Sequence, residues 1–201
     1  MIRISTGYNL ADVQDASMFE DRRRLFVEMM GWDVPVTNGR FEIDQFDGPD
    51  ALYITEFGDE GAHLGSLRLL PSSGPHILAD LFAGLCEHGV PRGPGIYEIT
   101  RLCLPSRLGS QERLRVRNRL ISAMVDYALD AGIHCLTGVV RPGFRTSVLA
   151  MGWKASPLGP VRTIDGMALG AFRIEVAADT PARLARNGIY TAVASLAPVA
   201  A

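Results

Sequence analysis

A strand, a basic loop, a long helix and a second strand follow one another between residues 95 and 140, and this order constrains the fold most strongly. Residues 95–104 are apolar and β-branched, as in a buried strand, and Pro105 ends the run. Residues 106–131 form a loop and then a long helix by their apolar periodicity, and residues 133–140 form another strand. A helix between two strands predicts an α/β class of fold.

The remaining segments extend this pattern to both ends of the chain. Residues 1–8 predict a short strand, and residues 11–30 predict a helix. Two apolar runs, 51–57 and 63–70, flank a Gly-Asp-Glu-Gly turn and predict an antiparallel hairpin. The later segments are a short helix at 77–86 that contains Phe82, a short helix at 142–151, two extended runs within 161–176, and a helix at 180–196 with Thr180 as its N-cap.

Together these segments predict a mixed, mostly antiparallel sheet flanked by helices, the layout of N-acetyltransferase-like folds. No Pro/Gly/Ser-rich linker divides the chain, so we expect a single domain of residues 1–201. The layout alone does not establish an activity.

Composition excludes several classes of function. A formal net charge of −2 argues against nucleic-acid binding by the fold as a whole. Three cysteines without CxxC spacing argue against a disulfide framework or a metal site, and they suggest a reducing compartment. No signal peptide begins the sequence, and no apolar run approaches the roughly 18 residues that a membrane span needs. We therefore expect a cytoplasmic protein without membrane association.

Cations, aromatic rings and carboxylates are concentrated between residues 22 and 47. Arg22 and Phe26 are one helical turn apart. Gly31 ends the helix, and Trp32 begins a loop. Two aspartates, Asp44 and Asp47, follow in the chain. Aromatic faces and carboxylates hold a positive centre, and arginine holds a carboxylate. The set suits a ligand that has a cationic centre, an aromatic base and a carboxylate. The alternative is a basic helix end with the two rings as core anchors.

Two charged residues lie inside the predicted strand 95–104. Strict alternation places Glu98 and Arg101 on opposite faces unless a bulge lies between them. A charge in the middle of a buried strand is costly unless it is paired. The pattern fits a structural ion pair and a functional one equally well.

Several of these spacings coincide with the pattern of one family. They are Arg22-x3-Phe26-x5-Trp32, Asp44-x2-Asp47, Arg68, Phe82 and Glu98-x2-Arg101, with local phrases such as Tyr97-Glu98-Ile99-Thr100-Arg101 and Gly152-Trp153. This set resembles the acyl-homoserine-lactone synthases, the LuxI-type autoinducer synthases of bacterial quorum sensing. The resemblance covers residues 22–153.

The resemblance implies an acyltransferase that makes an N-acyl-L-homoserine lactone. S-adenosylmethionine supplies the homoserine part as a substrate, so no cofactor is implied, and an acyl thioester supplies the chain. The amine attacks the thioester carbonyl, the methionine carboxylate attacks its own γ-carbon, and methylthioadenosine leaves. The residues implied for S-adenosylmethionine are Arg22, Phe26, Trp32, Asp47 and Arg68, and the implied catalytic residues are Glu98, Asp44 and Arg101.

The same resemblance places the acyl chain and its carrier. We expect an apolar acyl pocket formed by Phe82, Leu102, Leu104, Met124, Val139, Leu149 and Met151. Gly138 falls where relatives that make 3-oxo products often carry threonine, which favours unsubstituted acyl chains here. The arginines expected to dock acyl carrier protein or coenzyme A are Arg107, Arg113, Arg115 and Arg117. A merely solvated charged face is the competing interpretation of these arginines.

Two other classes of function remain open at this point. A general N-acyltransferase that uses acyl-CoA and another amine would share the fold. A binding protein that senses acyl thioesters or S-adenosylmethionine without turnover would retain some of the ionic residues. The joint occurrence of Phe26, Trp32, Asp44 and Asp47 favours the synthase.

Overall fold

The computed structural model describes residues 1–192 and the short strand Leu196–Ala197. Its strands are β1 (Ile2–Thr6), β2 (Val36–Thr37), β3 (Phe41–Glu42), β4 (Leu52–Phe57), β5 (His63–Pro71), β6 (Ile96–Cys103), β7 (Cys135–Val140), β8 (Lys154–Pro157), β9 (Arg162–Ile164), β10 (Met167–Glu175) and β11 (Leu196–Ala197). Its α-helices are α1 (Val13–Arg23), α2 (Ile77–Asp80), α3 (Ser110–Asp130), α4 (Pro142–Leu149) and α5 (Thr180–Arg186). A π-helix (Arg24–Met29) continues α1, and a 3-10 turn (Ala83–Leu85) follows α2.

The chain divides into two compact units. The first comprises Met1–Leu69 and Arg101–Ala123, together with the described residues of Ala192–Ala201. The second comprises Leu70–Thr100 and Met124–Thr191. The expectation of a single domain over residues 1–201 stays a prediction.

Strands of the first unit pair in the order β11-β1-β4-β5. β1 pairs with β4 and β4 with β5 in antiparallel fashion, and β1 pairs with β11 in parallel. The N-terminal half of α3 lies against β5, because a Cβ on Gly65 would come within 2.6 Å of Val116 and 3.0 Å of Leu104. Glycine at this position is therefore what allows the helix to approach the strand so closely.

Strands of the second unit pair in the order β6-β7-β10-β8, and β9 also pairs with β10. β6 and β7 are parallel, whereas β10 is antiparallel to β7, β8 and β9. The predicted class, with mixed and mostly antiparallel strands flanked by helices, is confirmed. The predicted hairpin at 51–70, the long helix and the paired runs within 161–176 are confirmed as well.

Three helix predictions need correction. The helix predicted at 11–30 is α-helical only to Arg23 and π-helical beyond it. The single helix predicted at 77–86 is two short pieces, and Phe82 lies between them with φ −132° and ψ 26°, which are not helical angles. The helix predicted at 180–196 ends at Arg186, its N-cap is Asp179 rather than Thr180, and residues 193–195 lie outside the described residues.

The described part of the chain meets the requirements of neither a membrane-spanning helix nor a metal site. None of its helices has the length and apolar character needed to cross a membrane. No group of three or more His, Cys, Asp or Glu side chains among the described residues could hold a metal ion.

Candidate active site

Six charged side chains of the first unit form one buried network, which we call the ionic cluster. Its members are Arg22, Glu42, Asp44, Asp47, Arg68 and Arg101. The sequence resemblance named five of these residues for substrate binding or catalysis. The structure brings all five together and adds Glu42.

Arg22, in the last turn of α1, holds two carboxylates at once. Its Nη1 and Nη2 donate to the two oxygens of Asp47 at 2.9 and 2.8 Å, and its Nε donates to Glu42 Oε2 at 2.6 Å. Burial alone would lower the pKa of Arg22, but the charges of Asp47 and Glu42 raise it well above its usual value. Burial alone would raise the pKa of Asp47, but the charges of Arg22 and Arg68 hold it well below its usual range. Both groups are therefore charged at neutral pH.

A tight turn between Asp44 and Asp47 orients both carboxylates. The N–H of Asp47 donates to the carbonyl of Asp44 at 3.1 Å, and the N–H of Asp44 donates back to Asp47 Oδ2 at 2.8 Å. Asp44 Oδ1 also accepts from the N–H of Phe46 at 2.9 Å, in an Asx-turn. Tyr53 Oη donates to Asp47 Oδ1 at 2.7 Å. Hydrogen bonds within this turn thus help to orient both carboxylates, in addition to the ion pairs with the arginines.

Arg68 and Arg101 close the ionic cluster from two strands. Arg68 donates to both oxygens of Asp44 at 2.7 and 3.0 Å, which is the bidentate geometry that favours arginine over lysine. Arg101 Nη2 donates to Glu42 Oε1 at 2.9 Å and to Asp44 Oδ2 at 2.7 Å. The φ angle of Arg101 is 51°, in the left-handed region, so strict strand alternation does not hold at this residue.

Phe26 and Trp32 form a stacked aromatic pair beside the ionic cluster. Gly31 ends the π-helix with a φ of 66°, and the N–H of Trp32 then donates to the carbonyl of Phe26 at 2.8 Å. This turn folds the two rings together at 4.9 Å between centroids and 13° between planes. The guanidinium carbon of Arg101 lies 5.5 Å from the Phe26 ring centroid and 6.0 Å from that of Trp32. The Nε1 of Trp32 is buried and has no hydrogen-bond partner among the residues that the structure describes.

The members of the ionic cluster differ in accessibility. The side chains of Arg22, Glu42 and Arg68 are sealed, at 1%, 0% and 0% exposure, whereas Arg101 is 10% and Asp44 is 4% exposed. Arg101 and Asp44 therefore form the accessible edge of the ionic cluster, next to the aromatic pair.

A second buried network of the first unit involves the helix that carries Arg22. His63 Nδ1 lies 2.8 Å from Asp21 Oδ2, and Arg107 donates to Asp21 Oδ1 at 2.6 Å and to the carbonyl of His63. Burial lowers the pKa of His63, so its ring is neutral and Nδ1–H is the donor to Asp21. A cavity of about 120 Å³ opens beside this network. It is lined by Asp21, Arg24, Leu25, Pro105, Ser106 and Arg107.

Glu98 is the charged residue at the centre of the second unit. It lies on β6 opposite Thr137 of β7 and is completely buried. Both of its carboxylate oxygens accept from the N–H of Leu78, at 3.0 and 3.1 Å, at the start of α2. The N–H of Leu78 therefore helps to orient this buried carboxylate.

An apolar cluster of the second unit lies on the β7–β10 surface that carries Val139 and Ala171. Its buried members are Leu78, Leu85, Leu169 and Ala171, and its half-buried members are Phe82, Cys86, Val90, Val139, Leu158 and Ile164. We call these ten residues the apolar cluster. Half-buried apolar side chains are typical of a surface that binds hydrocarbon.

The predicted acyl-pocket residues fall into different places. Phe82 and Val139 belong to the apolar cluster. Leu102 and Leu104 belong to the first unit, where Leu104 packs near Gly65. The remaining three predicted residues, Met124, Leu149 and Met151, lie in the second unit outside the apolar cluster. The assignment of all seven residues to one acyl pocket stays a prediction.

Gly138 has no room for a side chain. It lies opposite Phe172 in the β7–β10 register, and a Cβ there would come within 2.6 Å of the Phe172 ring. It would also meet the carbonyl of Ile99 at 3.2 Å. Phe172 thus occupies the space that a threonine at this position would require.

The arginines at the start of α3 are unequally engaged. Arg107 is committed to Asp21 and the carbonyl of His63, and Arg115 pairs with Glu112. Arg117 donates to Asn118, and burial lowers the pKa of Arg117. Arg113 makes no ion pair with any residue that the structure describes. Only part of the predicted docking patch therefore offers unpaired positive charge.

Two residues of the ionic cluster region escaped the sequence analysis, Glu42 and Tyr53. Glu42 belongs to β3 and lies two residues before Asp44, so it shares the acidic phrase that ends at Asp47. That spacing was the available signal. Tyr53 lies on β4 within an apolar run, and nothing in its local pattern distinguishes it from a core tyrosine.

Comparisons with known proteins converge on one family. A family model described as autoinducer synthase matches residues 8–183. An acyl-homoserine-lactone synthase of Ralstonia nicotianae (strain ATCC BAA-1114 / GMI1000) is 35% identical over 191 residues, which is 92% of this chain and 93% of the relative.

Solved structures give the same result. The acyl-homoserine-lactone synthase LasI superposes with a TM-score of 0.81 at 27% identity, covering 97% of this chain and 98% of that chain. TofI, solved in a ternary complex with an inhibitor and methylthioadenosine (MTA), superposes with a TM-score of 0.77 at 27% identity, covering 92% and 96%. A putative N-acetyltransferase from Lactobacillus plantarum, 15% identical with a TM-score of 0.61, covers 88% and 99% and shares the fold alone.

Proposed function

Because this chain belongs to the autoinducer synthase family, we propose a specific division of labour among its residues in the synthesis of an acyl-homoserine lactone. The protein is an acyltransferase that makes an N-acyl-L-homoserine lactone from S-adenosylmethionine and an acyl thioester and releases methylthioadenosine. The family relationship favours this activity over a general N-acyltransferase of the same fold.

The chemistry has two bond exchanges. The amine nitrogen of S-adenosylmethionine attacks the thioester carbonyl, an amide forms, and the thiol leaves with a proton. The carboxylate oxygen then attacks the γ-carbon, the carbon–sulfur bond breaks toward the sulfonium, and neutral methylthioadenosine leaves. Neither exchange requires an external oxidant or reductant. S-adenosylmethionine is consumed as a substrate rather than retained as a cofactor.

S-adenosylmethionine binds in the first unit, at the accessible edge of the ionic cluster. The observation that carries this proposal is the stacked Phe26–Trp32 pair beside Asp44 and Arg101. A sulfonium is attracted by aromatic faces and by a carboxylate, and the substrate carboxylate is attracted by a guanidinium. The buried N–H of Trp32 supplies a hydrogen-bond donor on the same side.

Arg22, Asp47 and Arg68 act through their neighbours rather than on the substrate. Arg22 donates to Glu42 and Asp47, and Arg68 pairs with Asp44 and Asp47. The charged atoms of these three side chains are engaged in ion pairs, so a substrate atom would have to displace a carboxylate or a guanidinium to reach them. We therefore assign them as positioning residues that hold Asp44 and Arg101 in place.

Glu98 is the general base that we propose for the amine. The two oxygens of Asp44 already accept from Arg68, Arg101 and the N–H of Phe46, so accepting a proton would displace a guanidinium. Glu98 is oriented by the N–H of Leu78 and lies on the strand that borders the apolar cluster. An amine must be neutral to attack a thioester, so a base is needed at neutral pH.

The acyl chain lies against the apolar cluster of the second unit. Phe82 and Val139 are its members that the sequence resemblance already named for acyl binding. Gly138 faces Phe172 and leaves no space for a hydroxyl-bearing side chain, which supports unsubstituted acyl chains. The donor carries its phosphates to the basic start of α3, where Arg113 and Arg117 lack acidic partners among the described residues.

The test is synthesis by the purified protein. We expect a homoserine-lactone fragment ion by mass spectrometry, together with an equal amount of methylthioadenosine, when S-adenosylmethionine is supplied with acyl thioesters of fatty, branched and aromatic acids. Asp44→Ala should abolish both products with the fold retained by circular dichroism. Asp50→Ala is the matched control, because Asp50 is an exposed aspartate in the same loop. Folded protein that turns over none of the thioesters would contradict the proposal.

A further inference from the structure

Two segments of the second unit approach each other more closely than side chains would allow. The N–H of Glu87 donates to the carbonyl of Leu158 at 2.9 Å, and the N–H of Leu158 donates to the carbonyl of Ala171 at 3.1 Å. A Cβ on Gly159 would lie 2.5 Å from the carbonyl oxygen of Leu85 and 3.2 Å from the nitrogen of Glu87. Residues 85–87 are therefore fastened to residues 158–159 and, through them, to β10. We call this pair of segments the clasp.

Arg145 of α4 holds the clasp from the other side. Its Nη1 donates to the carbonyl of Gly159 at 2.9 Å. Its guanidinium lies where a side chain of residue 170 would be, since a Cβ on Gly170 would come within 2.6 to 2.9 Å of three guanidinium atoms. Two glycines are thus needed, one so that the clasp can close and one so that Arg145 can reach it.

The clasp carries residues of the apolar cluster. Leu85, Leu158 and Ala171 belong to this cluster, and each lies in the clasp or is bonded to it. The hydrogen bonds of the clasp therefore fix the separation between the segment that follows α2 and the strands that face it. That separation sets how far the side chains of Leu85 and Leu158 reach into the apolar cluster, where the acyl chain is proposed to lie.

We propose that the clasp, held by Arg145 and dependent on Gly159, sets the maximum length of the acyl chain that the protein transfers. This inference rests on the proposed function, namely that the acyl chain lies against the apolar cluster. Arg145 and Gly159 are positioning residues here, because they act through Leu85 and Leu158. One methylene in an apolar pocket changes kcat/KM by about tenfold or more, so a small displacement of the clasp is measurable as a change of preference.

The experiment compares kcat/KM for straight-chain acyl thioesters from butanoyl to dodecanoyl. Arg145→Met removes the bond to Gly159, and Gly159→Ala forces residues 85 and 159 apart. Both should raise the ratio of kcat/KM for longer over shorter chains by about tenfold, with the KM for S-adenosylmethionine unchanged. Arg145→Lys, which retains one donor but not the flat contact with Gly170, should return part of the original ratio.

Matched controls separate this effect from general damage. A Cβ on Gly84 meets nothing within 4 Å, so Gly84→Ala adds the same methyl group one residue before Leu85 without touching the clasp. Arg186 is exposed, so Arg186→Met removes an arginine that does not contact the clasp. Both controls should keep the original ratio.

Different results would refute the proposed function and the role of the clasp. A wild-type protein that makes no lactone from any thioester refutes the proposed function. A wild-type protein that works, with variants that lose activity equally for all chain lengths or keep the original ratio, refutes the clasp alone. If Arg145→Met and Gly159→Ala do not fold, Leu158→Ala decides, since it removes a half-buried wall and keeps the backbone bonds. It should extend the preferred chain, and an unchanged preference would overturn the inference.

Discussion

Arg22 and Asp47, which are 25 residues apart in the chain, form a buried two-point ion pair at 2.9 and 2.8 Å. The pair joins the end of α1 to the Asp44–Asp47 turn, and Glu42 and Arg68 bind to its two ends. Removal of either partner leaves the other charge buried with one counter-charge instead of two, which is destabilising. The geometry of the proposed S-adenosylmethionine site therefore depends on residues that do not touch the substrate.

Asp47→Asn should lower the free energy of unfolding by about 3–5 kcal/mol, because it leaves Arg22 without its bidentate partner. The effect is measured by urea unfolding at neutral pH. Asp50→Asn changes an exposed aspartate in the same way and should stay within experimental error of the wild type. An Asp47→Asn variant as stable as the control would mean that the pair contributes nothing net.

The same variant should change the acid stability of the protein. Burial alone would raise the pKa of Asp47, but the charges of the nearby arginines lower it by more, so it lies below the unfolded value of 3.8. A carboxyl with a depressed pKa stabilises the fold above its unfolded pKa, and this contribution is lost as the pH falls below about 4. Unfolding measured from neutral to acid pH should therefore show a shallower acid loss for Asp47→Asn than for the wild type.

His63→Gln should remove the contribution of His63 to the pH dependence of folding stability. Burial lowers the pKa of His63 from 6.5, so the neutral ring is favoured in the fold. Stability from this group is complete above pH 6.5 and is lost as the pH falls through the lowered value, because the unfolded chain binds the proton more tightly. As the pH is lowered from about 6.5, the melting temperature of the wild type should decrease. The melting temperature of His63→Gln should depend less on pH over the same range. Parallel curves for the two proteins would rule out His63 as the titrating group.

Trp32→Leu should weaken binding of S-adenosylmethionine and leave binding of the acyl donor unchanged. It removes the ring that stacks on Phe26 and the buried N–H, and cation–π contacts are worth about 0.5–2 kcal/mol. We expect the KM for S-adenosylmethionine to rise by roughly threefold to thirtyfold in steady-state assays. Met29→Leu is the control, because Met29 is exposed and lies in the π-helix that carries Phe26. A rise confined to the acyl-donor KM would place Trp32 at the other substrate.

Glu98→Gln should reduce kcat by about 10²- to 10⁴-fold while the protein stays folded. The glutamine oxygen can still accept from the N–H of Leu78, so the start of α2 keeps its partner. Glu60→Gln, an exposed glutamate of a turn, serves as the control. If Glu98→Gln retains most of the wild-type kcat and Asp44→Asn does not, the base is Asp44.

Arg113→Glu should raise the KM for a thioester on acyl carrier protein more than the KM for the same acyl group on coenzyme A. Arg113 is unpaired among the described residues, and the carrier presents a larger acidic surface than coenzyme A does. Arg107→Glu is expected to lower stability instead, because Arg107 is tied to Asp21. Equal effects of Arg113→Glu and of the exposed Arg186→Glu would exclude a specific docking role for Arg113.

The sequence patterns predict the hairpin of β4 and β5, the long helix α3 and the turn between β9 and β10, because these features depend on local alternation and periodicity. The end of α5 at Arg186 was missed, since Asn187 and Gly188 stop the helix inside a run of helix-forming residues. The π-helix was missed because its i+5 hydrogen bonds leave no distinct composition. The sequence also gives no warning that Phe82 lies between two helical pieces.

The resemblance to a family named most of the ionic cluster, because its members are recognised by type and spacing. Glu42 was missed as a member, since its contacts with Arg22 and Arg101 join residues 20 and 59 positions away in the chain. The acyl residues were the least predictable. An apolar cluster is assembled from Leu78, Leu85 and Leu158 by pairing of distant segments, and apolar residues in neighbouring strands look the same in a sequence.

Three guanidiniums and three carboxylates make the ionic cluster neutral as a whole. A neutral group of charges gives little electrostatic potential beyond a Debye length, which is about 8 Å at physiological ionic strength. The association rate of S-adenosylmethionine should therefore vary little with added salt. If the proposed docking at the start of α3 is right, an acidic carrier protein that approaches Arg113 meets positive charge, and its association should slow as salt is raised. Ionic strength thus becomes a means of limiting the supply of one substrate while the encounter with the other proceeds unchanged.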